Sequence, residues 1–285
     1  MSYLFFSPKK IRTYLEEKKA APLKKWGQNF LIDRNIARMI IESPPKETID
    51  SVDSLIEIGP GLGALTHMLL TMNKPLSVFE IDPVMIETLI HTPEFQLESF
   101  RIFEGDVLEN LQKISDQTFY CFGNLPYYIS SEILSTLMKT CPNCKGGVFL
   151  LQKEFAERIS GEHSSLSVFL GAFGNWKILK HIKGSSFYPP PKAVSSVLQY
   201  TPLVTPKISV RNVPYLEKIL RGFFWGKRKT MDRILIDSPF LQEEKEILKD
   251  IIFSNDQFSG RERVSEIPGE SFYLWAETLG ERMAR

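Results

Sequence analysis

The stretch "SLIEIGPGLGALT" (residues 54–66) predicts how this chain begins its main sheet. Its apolar start is typical of a buried strand, and the glycines that follow are typical of a tight turn into a helix. Gly59, Gly61 and Ala64 fit the spacing G-x-G-x-x-G/A, and Glu80 follows about 20 residues later. Proteins that bind NAD, FAD or S-adenosylmethionine (SAM) share this spacing, and a plain strand–helix turn can also produce it. The motif alone therefore leaves the ligand open.

Strand-like runs rich in Val, Ile, Leu and Phe alternate with helical patterns beyond this stretch. After "SLIEIG" (54–59) the runs lie at residues 76–82, 100–106, 118–124 and 146–152. Helical patterns such as "ALTHMLLTM" and "PVMIETLIH" lie between them. This alternation predicts an α/β fold with a doubly wound, Rossmann-like parallel sheet and helices on both faces. Two later β-like runs, "WKILKHI" and "SSVLQYTPL", flank the proline cluster "FYPPPK" (187–192).

The composition changes after "TPLVTPK" (201–207), where the chain becomes helical and basic. We therefore expect a linker near residue 205. It would separate a first domain of about residues 1–205, which carries the sheet, from a small helical domain of about residues 206–285.

The bulk composition is that of a soluble globular protein, with 43% hydrophobic and 24% charged residues among 285. No apolar run approaches the roughly 18–20 residues that span a membrane, and "MSYLFF" is too short for a signal-peptide core. Three cysteines suit a reducing compartment, so we expect a cytoplasmic protein without a membrane segment. "CPNC" (141–144) resembles half of a zinc site, but no second Cys or His pair completes it, and we expect no metal.

Charge is distributed unevenly along the chain. Residues 1–38 carry a balance of +6, residues 50–119 a balance of −9, and residues 207–236 a balance of +6 around "GKRKT". Basic segments on either side of an acidic middle suggest that the flanks hold a polyanion. Solvated helix faces are the alternative explanation for either basic segment taken alone.

Polar side chains end three successive strands of the predicted sheet. Glu80 ends the second strand, Asp106 the third and Asn124 the fourth. Ligands of such sheets bind outside the carboxyl ends of the strands, so these side chains are expected to meet at one site. An acid at the position of Glu80 can bind both hydroxyls of a ribose, and Asp106 can accept a hydrogen bond from an adenine amino group.

"GNLPYYIS" (123–130) is the stretch in which chemistry is expected. The amino group of adenine is a poor nucleophile because its lone pair is delocalised into the ring. Two acceptors on its N–H bonds, the Asn124 side-chain oxygen and the Leu125 carbonyl, would favour a pyramidal nitrogen and free that lone pair. Tyr127 would stack its ring face, rather than use its hydroxyl, on a base extruded from a helix. The product amine can release its proton to water.

These motifs together resemble the KsgA/RsmA-type small-subunit ribosomal RNA adenine dimethyltransferases, relatives of the Erm methyltransferases. The resemblance covers most of the chain and also includes "WGQNFLID" (26–33), "LLQKEFAERI" (150–159), "FYPPPKAVSSVL" (187–198) and "FFWGKRKT" (223–230). It implies a SAM-dependent methyltransferase sheet followed by a helical RNA-binding domain. The residues that it implies for SAM contact are Asn29, Leu31, Gly59, Glu80, Asp106 and Asn124. It implies further that Asn124, Tyr127 and Phe187 handle the target adenine.

The resemblance implies N6,N6-dimethylation of two adjacent adenines in the 3′-terminal hairpin loop of small-subunit rRNA, on an immature ribosomal subunit and by a monomer. Two positions depart from the family pattern: Tyr128 stands where Asn is common, and Ser195 stands where Asp is usual. A non-catalytic RNA-binding or assembly factor with this fold is the main alternative. An NAD-dependent oxidoreductase would leave "NLPYY" unexplained, and DNA adenine methyltransferases resemble D-P-P-Y at this point.

Overall fold

The computed structural model describes residues 3–18, 28–114, 117–161, 163–254 and 257–284. The chain divides into two compact units. The first combines Met1–Glu157 with Trp176–Pro202, and the second combines Arg158–Asn175 with Leu203–Arg285. The second unit thus includes an internal segment, residues 158–175, that the sequence analysis assigns to the first domain.

A seven-stranded mixed sheet forms the centre of the first unit. The strands are β1 (Phe30–Leu31), β2 (Ser54–Ile58), β3 (Leu76–Glu80), β4 (Phe100–Glu104), β5 (Phe119–Asn124), β6 (Cys144–Gln152), β7 (Gly174–Ile182), β8 (Phe187–Tyr188) and β9 (Ser195–Pro202). The strand order in the sheet is β4-β3-β2-β5-β6-β9-β7. Neighbouring strands from β4 through β6 are parallel, as predicted, whereas β9 runs antiparallel to β6.

Helices connect the parallel strands, because parallel neighbours need a crossover between them. The helices are α1 (Pro8–Glu17), α2 (Arg34–Glu42), α3 (Lys46–Ser51), α4 (Thr66–Leu69), α5 (Pro83–His91), α6 (Val107–Asn110), α7 (Ser130–Thr140), α8 (Lys153–Ser160), α9 (Ser165–Gly171), α10 (Val213–Trp225), α11 (Met231–Asp237), α12 (Lys245–Phe253) and α13 (Gly269–Met283). Of these, α4, α5, α6 and α7 lie in the connections from β2 through β6. All five residues of β2 are buried, as expected for a strand in the middle of a sheet.

Two very short strands form a separate antiparallel pair that the sequence analysis does not predict. In this pair Phe30 of β1 lies opposite Tyr188 of β8, and Leu31 lies opposite Phe187. Two residues are too few to produce a visible alternation of apolar and polar side chains. The pair joins the segment before α2 to the proline cluster, which is far away in the sequence.

The second unit is helical. Its helix α10 packs against α9 and α13, and α12 also packs against α13. Residues 158–175 belong here because the Tyr273 hydroxyl donates a hydrogen bond to the Val168 carbonyl at 2.7 Å, and the Leu203 N–H donates to the Phe173 carbonyl at 2.9 Å. In the described part of the chain no helix is long and apolar enough to cross a membrane.

Candidate active site

A cleft opens at the carboxyl ends of β2, β3 and β5. The chain leaves β2 to form β3 and β4 on one side of it and later returns on the other side as β5. Open α/β sheets bind ligands at such a switch point. Backbone and side chains from the glycine loop, from the end of β3 and from the turn after β5 converge on this cleft, as in a small-molecule site. Seven of the nine predicted site residues line it: Asn29, Leu31, Gly59, Glu80, Asn124, Leu125 and Tyr127.

The glycine loop after β2 forms the floor of the cleft. Gly59 has φ +69°, and a Cβ at this position would lie 3.2 Å from the Asn124 carbonyl oxygen. Gly61 has φ +56°, and a Cβ there would lie 3.3 Å from the Phe30 ring. Positive φ and close neighbours both favour glycine at these two positions. The loop can therefore bring its backbone against a ligand without side chains in between.

The Glu80 carboxylate is held at the end of β3 by main-chain N–H groups. Its oxygens accept hydrogen bonds from Gly61 at 3.0 Å, Ile81 at 2.9 Å and Asp82 at 3.0 Å. Burial raises the pKa of Glu80, although these three hydrogen bonds act in the opposite direction. The acid thus ties the glycine loop to β3 and presents an oriented carboxylate to the cleft.

A main-chain carbonyl fixes the orientation of the Asn124 side chain. Its Nδ2 donates a hydrogen bond to the Asn29 carbonyl oxygen at 2.9 Å. Because a carbonyl can only accept, the amide must turn its NH₂ group toward Asn29. Within the described residues the Oδ1 atom has no hydrogen-bond partner, so the amide offers the cleft an acceptor. Asn29 is not the cap of α2, since Asp33 accepts the N–H groups of Asn35 and Ile36.

Tyr127 lines the cleft three residues beyond Asn124. Its hydroxyl oxygen lies 2.8 Å from the Oγ of Ser195 at the start of β9. Burial raises the pKa of Tyr127, so the phenol keeps its proton. Leu125 is 1% exposed, and its N–H donates to the Leu150 carbonyl at 3.1 Å, which ties the turn to β6.

Two predicted site residues do not line the cleft. Asp106 caps α6, where its Oδ1 accepts the Leu108 N–H at 2.9 Å. Phe187 is 2% exposed and lies in the hydrophobic core, in β8 beside Leu31. Its ring is covered in this structure, and a stacking role would require it to become accessible. The roles of both residues stay predictions.

Glu57 is a cleft residue that the sequence analysis does not assign to the site. It is 1% exposed, and its Oε2 accepts a hydrogen bond from the Thr66 hydroxyl at 2.6 Å. Burial raises the pKa of Glu57 to about 8; the Thr66 hydrogen bond lowers it, and the neighbouring Glu80 charge raises it. A single acid inside the apolar run "SLIEI" is the signal that could have identified it.

Aromatic residues from the N-terminal segment also line the cleft. The Tyr3 hydroxyl donates to the Leu62 carbonyl of the glycine loop, and its ring stacks on His67 with centroids 5.0 Å apart. Phe5 contributes to the same wall. Tyr128 is half exposed at the cleft. Nothing local in the sequence connects the N-terminal aromatics with a loop about sixty residues away, since such contacts depend on tertiary structure.

Part of one predicted motif lies outside the described residues, namely Trp26 and Gly27 of "WGQNFLID". The three cysteines, Cys121, Cys141 and Cys144, are free and buried. Among the described residues no group of three or more His, Cys, Asp and Glu side chains is arranged to hold a metal ion.

Comparisons with known proteins agree on one family. A family model described as ribosomal RNA adenine dimethylase matches residues 22–266. A ribosomal RNA small subunit methyltransferase A from Borreliella afzelii is 34% identical over 232 residues, which cover 80% of each chain. One from Francisella tularensis subsp. novicida is 37% identical over 233 residues, covering 78% of this chain and 86% of its own.

Two solved structures are similar over most of their length. A dimethyladenosine transferase from Plasmodium falciparum has a TM-score of 0.68 and 25% identity, covering 86% of this chain and 95% of its own. The 23S rRNA methyltransferase ErmE has a TM-score of 0.57 and 22% identity, covering 88% of this chain and 99% of its own. At the identity of ErmE the likeness concerns the fold alone.

Proposed function

Because the chain belongs to the ribosomal RNA adenine dimethylase family, we propose that it transfers methyl groups from SAM to N6 of two adjacent adenines in the 3′-terminal hairpin loop of small-subunit rRNA. The names of the bacterial relatives, which refer to the small ribosomal subunit, support this substrate. Loop bases are already partly unpaired, which lowers the cost of extruding them. Four methyl groups would be delivered to each subunit.

The residues of the cleft fit SAM as the methyl donor. Gly59 has φ +69° and no side chain, so the glycine loop can bring its backbone close to a ligand. Glu80 presents carboxylate oxygens suited to ribose hydroxyls at the end of β3. Asn29, Leu31, Asp106 and Asn124 complete the proposed binding set, in which Asp106 would serve the adenine amino group. SAM supplies a methyl group on a positively charged sulfur, ready for attack by a nucleophile.

One observation carries the proposed chemistry: the Asn29 carbonyl turns the Asn124 Oδ1 toward the cleft as a hydrogen-bond acceptor. Two acceptors, this oxygen and the Leu125 carbonyl, would bind the two N–H bonds of the adenine amino group and free its lone pair. Tyr127 would stack on the extruded base, and Phe187 would do so from the other side once uncovered. The proton of the methylated amine would pass to water.

The proposed partner is the immature small ribosomal subunit, which a monomer would bind in the cytoplasm. Residues 207–236 carry a charge balance of +6, and residues 1–38 carry the same balance, although residues 1–2 and 19–27 of that segment lie outside the described part. Basic side chains gain affinity for RNA by releasing the counterions of its phosphates.

The test is methylation of small subunits that lack the modification. The protein is incubated with them and with methyl-labelled SAM, and the labelled nucleotides are mapped. We expect label on two adjacent adenines only, at four methyl groups per subunit. Label on other nucleotides, or on free mononucleotides at equal rate, would contradict the proposed substrate. Tight subunit binding without any transfer would instead favour the non-catalytic assembly factor.

A further inference from the structure

A buried hydroxyl contacts the aromatic ring that the proposed mechanism uses. Ser195 is the first residue of β9 and is 0% exposed. Its Oγ lies 2.8 Å from the Tyr127 hydroxyl oxygen, although the two residues are 68 positions apart in the sequence. A buried serine hydroxyl needs a partner, because an unsatisfied polar group in the interior is costly. Here that partner is the hydroxyl of Tyr127, which lines the cleft.

The backbone beneath Tyr127 is already fixed at both ends of its turn. The Leu125 N–H donates to the Leu150 carbonyl at 3.1 Å, and the Ile129 N–H donates to the Pro126 carbonyl at 3.3 Å. These bonds leave the two side-chain torsions of Tyr127 free, and the ring could still swing. A hydrogen bond at the phenol hydroxyl restrains the far end of the ring. Because this bond restrains the first side-chain torsion, it fixes where the ring lies relative to Asn124.

We propose that Ser195 is a positioning residue, which holds the Tyr127 ring through its hydroxyl so that the ring face meets the target base beside Asn124. The proposal rests on the function proposed above and adds a residue to it. It also changes one expectation from the sequence, in which the ring face alone matters. With the hydroxyl bound to Ser195, removal of the hydroxyl should slow methyl transfer.

β9 itself contains a matched control. Ser196 is also 0% exposed, and its Oγ lies 2.8 Å from Nδ1 of His181. Ser196→Ala therefore removes a hydroxyl of the same kind, with the same burial, from the neighbouring position, but leaves Tyr127 untouched. Ser195→Thr keeps the hydroxyl at position 195 and serves as the conservative variant.

The experiment measures kcat and the KM for unmethylated small subunits, together with SAM affinity, in six proteins: wild type, Ser195→Ala, Ser195→Thr, Ser196→Ala, Tyr127→Phe and the Ser195→Ala/Tyr127→Phe double variant. We expect Ser195→Ala and Tyr127→Phe each to lower kcat about tenfold, as for the removal of one orienting hydrogen bond. The double variant should be no slower than either single one. Ser195→Thr and Ser196→Ala should keep most of the activity, and SAM affinity should stay unchanged throughout.

Independent effects, multiplying in the double variant to about a hundredfold, would overturn the proposal. So would full activity of Ser195→Ala, or a loss in Ser196→Ala equal to that in Ser195→Ala. Tyr127→Phe provides the same test should Ser195→Ala fail to fold. An inactive wild type would refute the proposed function itself, whereas an active wild type with an active Ser195→Ala would refute only the role of Ser195.

Discussion

At Asn124 one hydrogen bond decides which end of an amide faces the cleft. The Asn29 carbonyl accepts from Nδ2, and Oδ1 is left as an acceptor. Adenine N6 carries two N–H donors, so an acceptor is the group that complements it. At Glu80 the backbone is the donor instead, because three main-chain N–H groups donate hydrogen bonds to the carboxylate. Both side chains therefore present oxygen to the cleft from fixed positions.

Asn124→Ala is expected to cut methyl transfer by at least about a hundredfold, because it would remove the acceptor that we propose for the adenine amino group. SAM affinity should fall much less. The rate is measured on unmethylated small subunits under single-turnover conditions. Asn175→Ala, which truncates an exposed residue of β7, is the control. Near-normal turnover by the Asn124 variant would contradict the assigned role.

Glu80→Ala should weaken SAM binding by about 1.5–3 kcal/mol, the range for removing hydrogen bonds to a charged group. Calorimetric titration with SAM measures the change, and NAD should not compete. Glu104→Ala is a matched control, since Glu104 lies opposite Glu80 in the neighbouring strand and is exposed. Equal SAM binding by wild type and the Glu80 variant would remove Glu80 from the binding set.

At the scale of elements, β2 and its glycine loop combine a fully buried strand with a buried acid. Glu57 lies in β2, all of whose residues are buried. It accepts a hydrogen bond from the hydroxyl of Thr66, the first residue of α4. Burial of a carboxyl disfavours its charged form. The pKa of the Glu57 carboxyl in β2 is therefore higher in the folded chain than in the unfolded chain.

Glu57 should make the folded protein less stable as pH rises. Its pKa is raised from 4.5 to about 8, so between these values the folded chain keeps a proton that the unfolded chain releases. The free energy of unfolding should therefore fall from about pH 4.5 to about pH 8, and below that window Glu57 should add no pH dependence. Urea unfolding across this range, in wild type and in Glu57→Gln, measures the effect.

Glu57→Gln should flatten this part of the pH profile, because the amide does not titrate. Glu104→Gln, at an exposed position, should leave the wild-type profile unchanged. A Glu57→Gln profile parallel to that of wild type would mean that the carboxyl does not keep its proton in the folded state.

On the scale of the whole molecule, the comparisons establish the family and the fold class. The family resemblance inferred from the motifs is confirmed by the family match over residues 22–266. The predicted fold class is confirmed by two solved methyltransferases.

The basic stretch of residues 226–230 lies in the helical unit, where Lys227 and Arg228 are exposed. Lys229 differs, since its Nζ lies 2.8 Å from the Asp237 carboxylate.

Replacement of Lys227, Arg228 and Lys229 with Ala should weaken subunit binding and flatten its dependence on salt, by about one unit of slope for each phosphate that the variant no longer neutralises. Lys227 and Arg228 should account for most of the change, because Asp237 already neutralises part of the Lys229 charge. Affinity for the subunit is measured from low to high salt. SAM binding should remain intact.

The control removes three positive charges elsewhere in the same unit, by replacing Lys245, Lys249 and Arg282 with Ala. Lys249 and Arg282 are ion-paired with Glu246 and Asp250. An unchanged salt slope in the Lys227/Arg228/Lys229 variant would contradict RNA contact by residues 227–229. An equal change in the control would show that net charge, rather than these three residues, sets the slope.

The sequence by itself determined the strands of the main sheet, the glycine loop and the family, because each of these features is recognisable from a short stretch of neighbouring residues. Apolar runs mark β2 through β6, and the loop needs Gly59 and Gly61 at positions of positive φ. Short motifs such as "NLPY" can be recognised without knowledge of the three-dimensional structure. Neighbours along the chain are enough to recognise all of these features.

Only the tertiary structure decided how side chains from distant segments meet. The Asn124 amide is oriented from 95 residues away, and the Tyr127 hydroxyl is held from 68 residues away. The pairing of β1 with β8 and the inclusion of residues 158–175 in the helical unit are of the same kind. Such contacts depend on the order and register of the strands. The sequence around each residue does not indicate which distant residue it will contact.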